Sequence, residues 1–415
     1  MGSTGGSGSG SGIGGAHADA VGGHLPGLGT GEGMDLEAAR RTKQEVVAYV
    51  RELTDRQVGP SASSTSGSAG APPAEGHGAA PHPSTVAVGL APLPDGGYGV
   101  AVRYRLGYPR ARMVARRVAE QVGPGVDVRR TGRIRAVPGT DGAVGGAAPG
   151  APGAASGAPG GARPRPPVAT AQAVGETGRA RPLRPGVSIA HADVTAGTLG
   201  AFVRVSGRLH VLSNYHVLVG SPSASVGDHV LQPGPADGGR DPRDRVATLA
   251  AYAELRPGVT ALVDAAVALL DDGIEVDLAY PVGLVTGTAE VRGAEEVEKI
   301  GRTTGLTRGR VTAIELDDVV VGYGEKLGEL SFDNQIEVEG LGSGPFSRGG
   351  DSGSLVYLAE GGEGVGTAIG LLFAGSESGG ENGTGLTYLN PIATVLQQLE
   401  AELEVEGAPG GSFSR

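Results

Sequence analysis

Glycine and proline are unevenly distributed along this chain, and their distribution limits how much of it can pack. The 415 residues include 77 Gly and 28 Pro, which is well above ordinary usage. These residues concentrate in three stretches, 1–34, 59–83 and 137–183, and in a short tail at 406–415. Such stretches bury little apolar surface. We therefore predict disordered tails at 1–34 and 406–415 and a flexible linker at 137–183.

Composition excludes several classes of function. The chain has no Cys, so disulfides, thiolate metal sites and cysteine nucleophiles are excluded. A net charge of −11 argues against nucleic-acid binding. The 8 His are scattered, and none pairs at helical i, i+4 spacing, so we expect no metal and no cofactor. No membrane span or signal peptide is recognisable, and we expect a cytoplasmic protein.

Residues 35–136 predict a helix, a linker and a small α+β module. Apolar positions recur at helical spacing over 35–57. Residues 85–90 and 98–104 read as strands around a Pro-Asp-Gly-Gly turn, followed by a helix from Pro109 to about Gln121 and a strand over 126–134. The module carries no catalytic cluster. A partner protein for it is a further expectation that its residues do not specify.

Residues 184–405 have a different pattern, in which short apolar runs alternate with Gly, Pro, Asp and Asn. This pattern predicts a mainly β domain, either a barrel or a sandwich. A helix from Pro391 to about Glu402 closes it. The predicted strands are 198–205, 208–213, 245–252, 264–270, 309–316, 335–338, 353–357 and 368–374.

Two motifs carry residues suited to acyl transfer. His216 follows the apolar run 211–213, and Ser352 lies between glycines in Gly349-Gly350-Asp351-Ser352-Gly353. A serine hydroxyl becomes a nucleophile when a neighbouring base takes its proton, and His supplies such a base near neutral pH. Gly350 allows its N–H to turn inward beside that of Ser352, which predicts an oxyanion hole of two backbone donors. The alternative for this motif is a plain turn between strands.

A third residue must orient the histidine ring, and we assign Asp264 to this role. It lies in the apolar run 262–270, where an uncompensated carboxylate is costly and a His is a suitable partner. The alternative for Asp264 is a strand-end cap. Asp244, Asp271 and Asp272 lie in turn-like contexts and are expected to be solvated.

The chain order His216, Asp264, Ser352 differs from that of subtilisin-type enzymes and α/β-hydrolases. Together with residues 213–218, 263–266, 301–309 and 350–354, it makes residues 184–405 resemble a trypsin-like (chymotrypsin-fold) serine peptidase. The resemblance is to the cysteine-free bacterial type, similar to the plant narrow-leaf proteins. It implies two six-stranded β-barrels with the site between them and a closing C-terminal helix.

The resemblance also implies positions that bind a protein or peptide substrate. Phe373, Ala374 and Gly375 are similar to the strand whose backbone pairs with extended substrate. Phe346 matches the base of the specificity pocket and favours an apolar or small side chain there; its alternative is a core residue. No activation sequence precedes residue 184, so Asp351 needs a partner other than a new N-terminus.

The expected function is serine endopeptidase. The alternatives are a catalytically silent scaffold that binds an extended peptide in the same cleft and an esterase without peptidase activity.

Overall fold

The computed structural model describes residues 33–57, 85–94, 96–136, 173–359 and 366–405. The predicted tails, apart from residues 33–34, and positions 137–172 of the predicted linker lie outside these residues. No helix in the described ranges is long and apolar enough to cross a membrane.

The N-terminal module consists of two helices on one face of three strands. Strands β1 and β2 are antiparallel, and β2 and β3 are parallel because helix α2 forms the crossover between them. Pro109 occupies the first turn of α2, where its missing N–H has no helical partner to lose. The elements are α1 (Leu36–Gln57), β1 (Val86–Pro92), β2 (Tyr98–Arg105), α2 (Pro109–Val122) and β3 (Val126–Thr131).

A half-barrel follows, in which the strands lie in the order β22-β6-β7-β10-β9-β8-β4-β5. The last strand in the described residues, β22, pairs with β6 because Glu400, at φ +49°, turns the chain directly after the C-terminal helix. The elements are β4 (Ser188–His191), β5 (Gly197–Thr198), β6 (Ala201–Val205), β7 (Arg208–Ser213), α3 (Tyr215–Leu218), β8 (His229–Leu231), a 3₁₀ turn (Pro235–Asp237), β9 (Arg245–Tyr252), β10 (Ala266–Leu270) and β22 (Ala401–Leu403).

Three short strands connect the half-barrel to a closed six-stranded barrel. Its order is β14-β19-β20-β21-β18-β15, and pairing of β15 with β14 closes it. Strands β16 and β17 form a separate hairpin. The elements are β11 (Ala279–Tyr280), β12 (Gly283–Leu284), β13 (Gly287–Thr288), β14 (Glu296–Gly301), β15 (Gly305–Asp317), β16 (Val319–Gly322), α4 (Gly324–Leu327), β17 (Glu329–Phe332), β18 (Gln335–Gly340), β19 (Leu355–Leu358), β20 (Thr367–Gly375), β21 (Leu386–Pro391) and α5 (Ile392–Gln398).

The predicted fold class is therefore confirmed. The described chain is mainly β, with a chymotrypsin-like pair of barrel units and a C-terminal helix. The first unit is a half-barrel, whereas the resemblance implied six closed strands. Helix α5 ends at Gln398, earlier than the predicted Glu402, because the chain turns into β22.

The N-terminal module is joined to the barrel, although the sequence predicted that a linker separates them. Strand β1 pairs antiparallel with β15, so β1, β2 and β3 extend the sheet of the closed barrel. Arg103 of β2 and Glu337 of β18, both buried, form an ion pair with a contact of 2.8 Å. Burial lowers the pKa of Arg103, but the charge and hydrogen bonds of Glu337 reverse this, and the net pKa is raised.

The predicted linker also contains residues that pack. Leu183 is fully buried, and its N–H donates to the Glu275 carbonyl at 2.8 Å. The Gly175 N–H donates to the Thr303 carbonyl at 3.3 Å. Packing against the barrel units therefore begins before residue 184, where the sequence placed the boundary.

Candidate active site

His216 lies where the half-barrel meets the closed barrel. Strand β7 ends at Ser213, and the one-turn helix α3 carries His216 as its second residue, 4 % exposed. The ring Nδ1 lies 2.6 Å from Asp264 Oδ2. Because a carboxylate only accepts, Nδ1 carries the proton, and Nε2 is left as the acceptor of the neutral ring. Nε2 is buried and has no hydrogen-bond partner among the described residues.

Asp264 is fully buried, and both barrel units hold it in place. Its backbone N–H donates to Asn390 Oδ1 of β21 at 2.9 Å. Its carbonyl accepts from Asn214 Nδ2 at 2.7 Å. The sequence predicted that Asp264 begins a strand, but β10 starts at Ala266. Asp264 lies in the preceding loop, outside the strand's ladder, where its carboxylate can turn toward His216.

Tyr323 is a site residue that the sequence analysis missed. Its phenol donates to Asp264 Oδ2 at 2.6 Å, and its ring meets that of His216 edge-on with 6.0 Å between centroids. Burial raises the pKa of Tyr323 well above its ordinary value, and the negative charge of Asp264 adds to this. The phenol therefore stays protonated and remains a donor. Tyr323 directly follows β16, in a stretch that the sequence did not mark as functional.

The loop that carries Ser352 is held against β5. The Thr198 N–H donates to the Ser352 carbonyl at 2.8 Å, and Thr198 Oγ1 donates to the Gly350 carbonyl at 2.8 Å. Gly350 and Gly353 adopt φ values of +96° and +95°, which favour glycine. A Cβ on Gly353 would lie 2.1 Å from Ser213 Oγ. This close approach brings the Ser352 loop against the end of β7, directly before the His216 helix.

Asp351 finds its partners within the chain. Its Oδ1 accepts from the Thr303 and Thr304 N–H groups at 2.9 and 3.1 Å, and its Oδ2 accepts from Thr304 Oγ1 at 2.7 Å. The Arg348 N–H donates to Oδ2 at 2.9 Å. Lys299 Nζ lies 3.5 Å from the same oxygen, and both side chains are fully buried. Burial lowers the pKa of Lys299, and the Asp351 charge partly offsets this. The glycine-bounded run 301–309 therefore supplies partners that hold Asp351 in place.

Of the residues implied to bind substrate, Phe346, Phe373 and Ala374 are buried, whereas Gly375 is paired through its backbone. Phe373 is fully buried against Phe332, with 4.8 Å between ring centroids, and Ala374 is also buried. Gly375 ends β20, and both its backbone N–H and its carbonyl are hydrogen-bonded to Arg135. Phe346 is 1 % exposed and packs in an apolar cluster of the closed barrel. Its packing is that of a core residue.

Asp244 was expected to be solvated, and that expectation is wrong. The side chain is fully buried, because Arg243 covers it with a contact of 2.7 Å and the Arg240 N–H donates to it at 2.9 Å. The hydrogen bond from Arg243 is the largest cause of its lowered pKa. These bonds come from neighbours in its own turn, whereas the carboxylate of Asp264 is bonded to His216 and Tyr323. Among the described residues, no group of three or more His, Asp or Glu could hold a metal ion.

Comparisons with known proteins give one family match and several structural similarities. The Nal1 C-terminal domain family matches residues 249–386. Thermobifida fusca Protease A is 19 % identical with a TM-score of 0.37, covering 53 % of this chain and 98 % of that protein. Cellulomonas bogoriensis chymotrypsin is 18 % identical with a TM-score of 0.36, covering 54 % and 99 %. The active form of the Rv3671c protease from M. tuberculosis is 17 % identical with a TM-score of 0.31, covering 55 % and 85 %. A comparison with curated protein sequences finds no match.

Proposed function

We propose that the chain is a serine endopeptidase in which His216, Asp264 and Ser352 act together. The observation that carries this proposal is the 2.6 Å bond between His216 Nδ1 and Asp264 Oδ2, with the opposite ring nitrogen buried and without a partner in the described structure. A histidine held in this tautomer offers Nε2 to take a proton. The fixed loop of Ser352 supports its assignment as the proton donor and nucleophile.

The proposed reaction proceeds through an acyl-enzyme. Ser352 Oγ attacks the peptide carbonyl while His216 takes its proton, and Asp264 stabilises the imidazolium that forms. The N–H groups of Gly350 and Ser352 are assigned to the oxyanion. His216 then returns the proton to the leaving amine, and a water molecule hydrolyses the ester through the same steps.

The test is labelling with a fluorophosphonate, combined with cleavage of a peptide library. We expect the full chain to be labelled at Ser352 and to hydrolyse peptides, and we expect the folded Ser352→Ala variant to do neither. A chain that binds peptides but is neither labelled nor hydrolytic would instead be the silent scaffold. Hydrolysis of ester substrates without cleavage of any library peptide would identify an esterase.

A further inference from the structure

The last residues of the N-terminal module run antiparallel to the end of β20. The Arg135 N–H donates to the Gly375 carbonyl at 3.0 Å, and the Gly375 N–H donates to the Arg135 carbonyl at 3.2 Å. Four residues earlier, Thr131 faces Gly379, and the Gly132 N–H donates to the Ser378 carbonyl at 3.0 Å. Residues 131–136, here called the groove segment, therefore act as an added strand along this edge.

The groove segment is also bonded on its other side. The Ala136 N–H donates to the Gly322 carbonyl at 3.2 Å, and the Gly322 N–H donates to the Ile134 carbonyl at 3.0 Å. Gly322 is the last residue of β16 and directly precedes Tyr323. The backbone of the segment thus lies between β20 and β16, beside the residue that contacts Asp264.

Side chains of the groove segment alternate between the protein and solvent, as in a strand. Ile134 and Ala136 are 9 % and 7 % exposed, whereas Arg133 and Arg135 are exposed. Ile134 belongs to the apolar cluster that contains Phe373. The segment therefore combines main-chain pairing with alternate side chains buried in the protein, which is how an extended peptide binds to a sheet edge.

We propose that residues 131–136 occupy the peptide-binding groove of this protein as an intramolecular strand and close it to other peptides. The same contacts define the class of peptide that the groove accepts. It is an extended strand with a branched apolar side chain at the position of Ile134 and a small side chain at that of Ala136. The inference rests on the proposed function, and it takes the edge at Gly375, which the resemblance implies pairs with substrate, as the place where a peptide binds.

The groove segment is held close to the groove, because the N-terminal module that carries it is attached to the barrel. Thr131 is the last residue of β3, so no spacer separates the groove segment from the sheet. That sheet is joined to the barrel through β1 and β15 and through the buried pair Arg103 and Glu337. A tethered strand competes at an effective concentration on the order of millimolar or above. A free peptide of ordinary affinity must therefore wait for the segment to leave.

Peptide binding to the full chain carrying Ser352→Ala tests this proposal without requiring activity. The probe is a fluorescein-labelled hexapeptide, Thr-Gly-Arg-Ile-Arg-Ala, which copies residues 131–136. Adding Ile134→Asp places a charge in the apolar contact, and adding Arg135→Pro instead removes the N–H that Gly375 accepts. We expect each of these double variants to bind the probe at least about tenfold more tightly than Ser352→Ala alone, measured by fluorescence anisotropy (1.4 kcal/mol per tenfold).

Met113→Asp is the matched control, because it adds the same charge to an exposed apolar position on α2 of the same module. We expect it to bind the probe as weakly as its parent. Equal affinity in all the variants, no binding in any of them, or an equal gain in Met113→Asp would each overturn the proposal. Circular dichroism checks that the variants are folded.

Fluorophosphonate labelling separates this inference from the proposed function. The proposed function fails if Ser352 is not labelled in chains that carry either the native Ile134 or Ile134→Asp. The anisotropy comparison still decides the groove proposal in that case. With an active enzyme, we expect Ile134→Asp to raise kcat/KM for peptides by at least about tenfold, and Met113→Asp to leave it unchanged.

Discussion

The phenolic oxygen of Tyr323 lies 2.6 Å from Asp264 Oδ2, the same oxygen that accepts the ring N–H of His216. One carboxylate oxygen therefore serves two donors from different elements. The hydrogen bond of Tyr323 goes to Asp264, so we expect Tyr323 to act through this carboxylate. We assign it as a positioning residue for the carboxylate.

Replacing Tyr323 by Phe should lower kcat/KM by about tenfold, since a hydrogen bond to a charged group contributes about 1.5–3 kcal/mol. The acid limb of the pH–rate profile should also move to higher pH, because a carboxylate with one donor fewer stabilises the imidazolium more strongly. Tyr388→Phe is the control, since its buried hydroxyl donates to Glu337 at 3.3 Å, away from His216. A Tyr323→Phe profile identical to wild type would argue against the positioning role.

Asp264→Asn should keep the shape of the site but offer an N–H where His216 needs an acceptor. We expect kcat to fall by about 10³–10⁴, the order known for a triad acid of this kind. Asp244→Asn is the comparison. It should change kcat by less than about threefold and lower the free energy of unfolding, because its carboxylate is buried under Arg243. If Asp244→Asn were the change that abolished activity, the acid would have to be reassigned.

Asp351 and Lys299 should show coupled effects on stability. Asp351→Asn and Lys299→Met each leave a buried charge without its opposite charge, and each should lower the free energy of unfolding by about 3 kcal/mol. The double variant should lose clearly less free energy of unfolding than the two single variants lose together. A double-mutant cycle with urea unfolding measures this difference. The control is the exposed helical pair Arg116 and Glu120. The effects of Arg116→Met and Glu120→Gln on the free energy of unfolding should be close to zero and additive. Additive losses at Asp351 and Lys299 would show that Lys299 does not balance this charge.

Asp318→Asn should stabilise the protein at neutral pH. Burial, and then the charge of Asp333, raise the pKa of Asp318 above its ordinary 3.8. When the pKa of a carboxyl is higher in the folded protein than in the unfolded chain, the unfolded chain ionises first. The free energy of unfolding therefore falls as the pH rises from the ordinary value through the folded pKa. The Asn variant does not have this loss, and φ +60° at this position also suits Asn.

We expect Asp318→Asn to raise the free energy of unfolding by about 0.5–1 kcal/mol at pH 7, which is the scale of a like-charge contact between strands. Below pH 3.8 the increase should be smaller. Urea unfolding of both proteins across this pH range measures the difference. Arg51 and Lys43 are the nearby cations that would reduce the gain, since Arg51 lies 3.9 Å from Asp318 and Lys43 pairs with Asp317. An equal gain at all pH values would trace the effect to the backbone alone.

Much of the fold could be predicted from the sequence, because its signals are local. Strands 208–213 and 245–252 have the predicted bounds, since apolar runs there end at turn residues. Strands β4 and β8 were missed, because Ser188, His191 and His229 interrupt the apolar pattern in segments of four and three residues. Ser188 is bonded to Asp237, 49 positions away, and His191 is bonded to Asp228, 37 positions away.

The proximity of His216 and Asp264 could be predicted, because each residue lies in a recognisable local pattern. Contacts without such a pattern could not. Tyr323 and Asp264 are 59 positions apart in the sequence, and no local pattern predicts their hydrogen bond. The pairing of Arg135 with Gly375 uses only backbone atoms, so it leaves no signature in residue type. The docking of β1 on β15 was hidden for the same reason.

The hydrogen bond from the Asp264 N–H to Asn390 makes the acid dependent on the unit opposite its own histidine. Asn390 is in turn bonded to Gln335 at 2.7 Å, and Gln335 reaches back to the Leu262 carbonyl at 2.9 Å. A small slip of one unit against the other would thus change the alignment of Asp264 with His216 before either hydrophobic core is exposed. Under the proposed function, we expect the reactivity of Ser352 to fall when the two barrel units are displaced from this alignment.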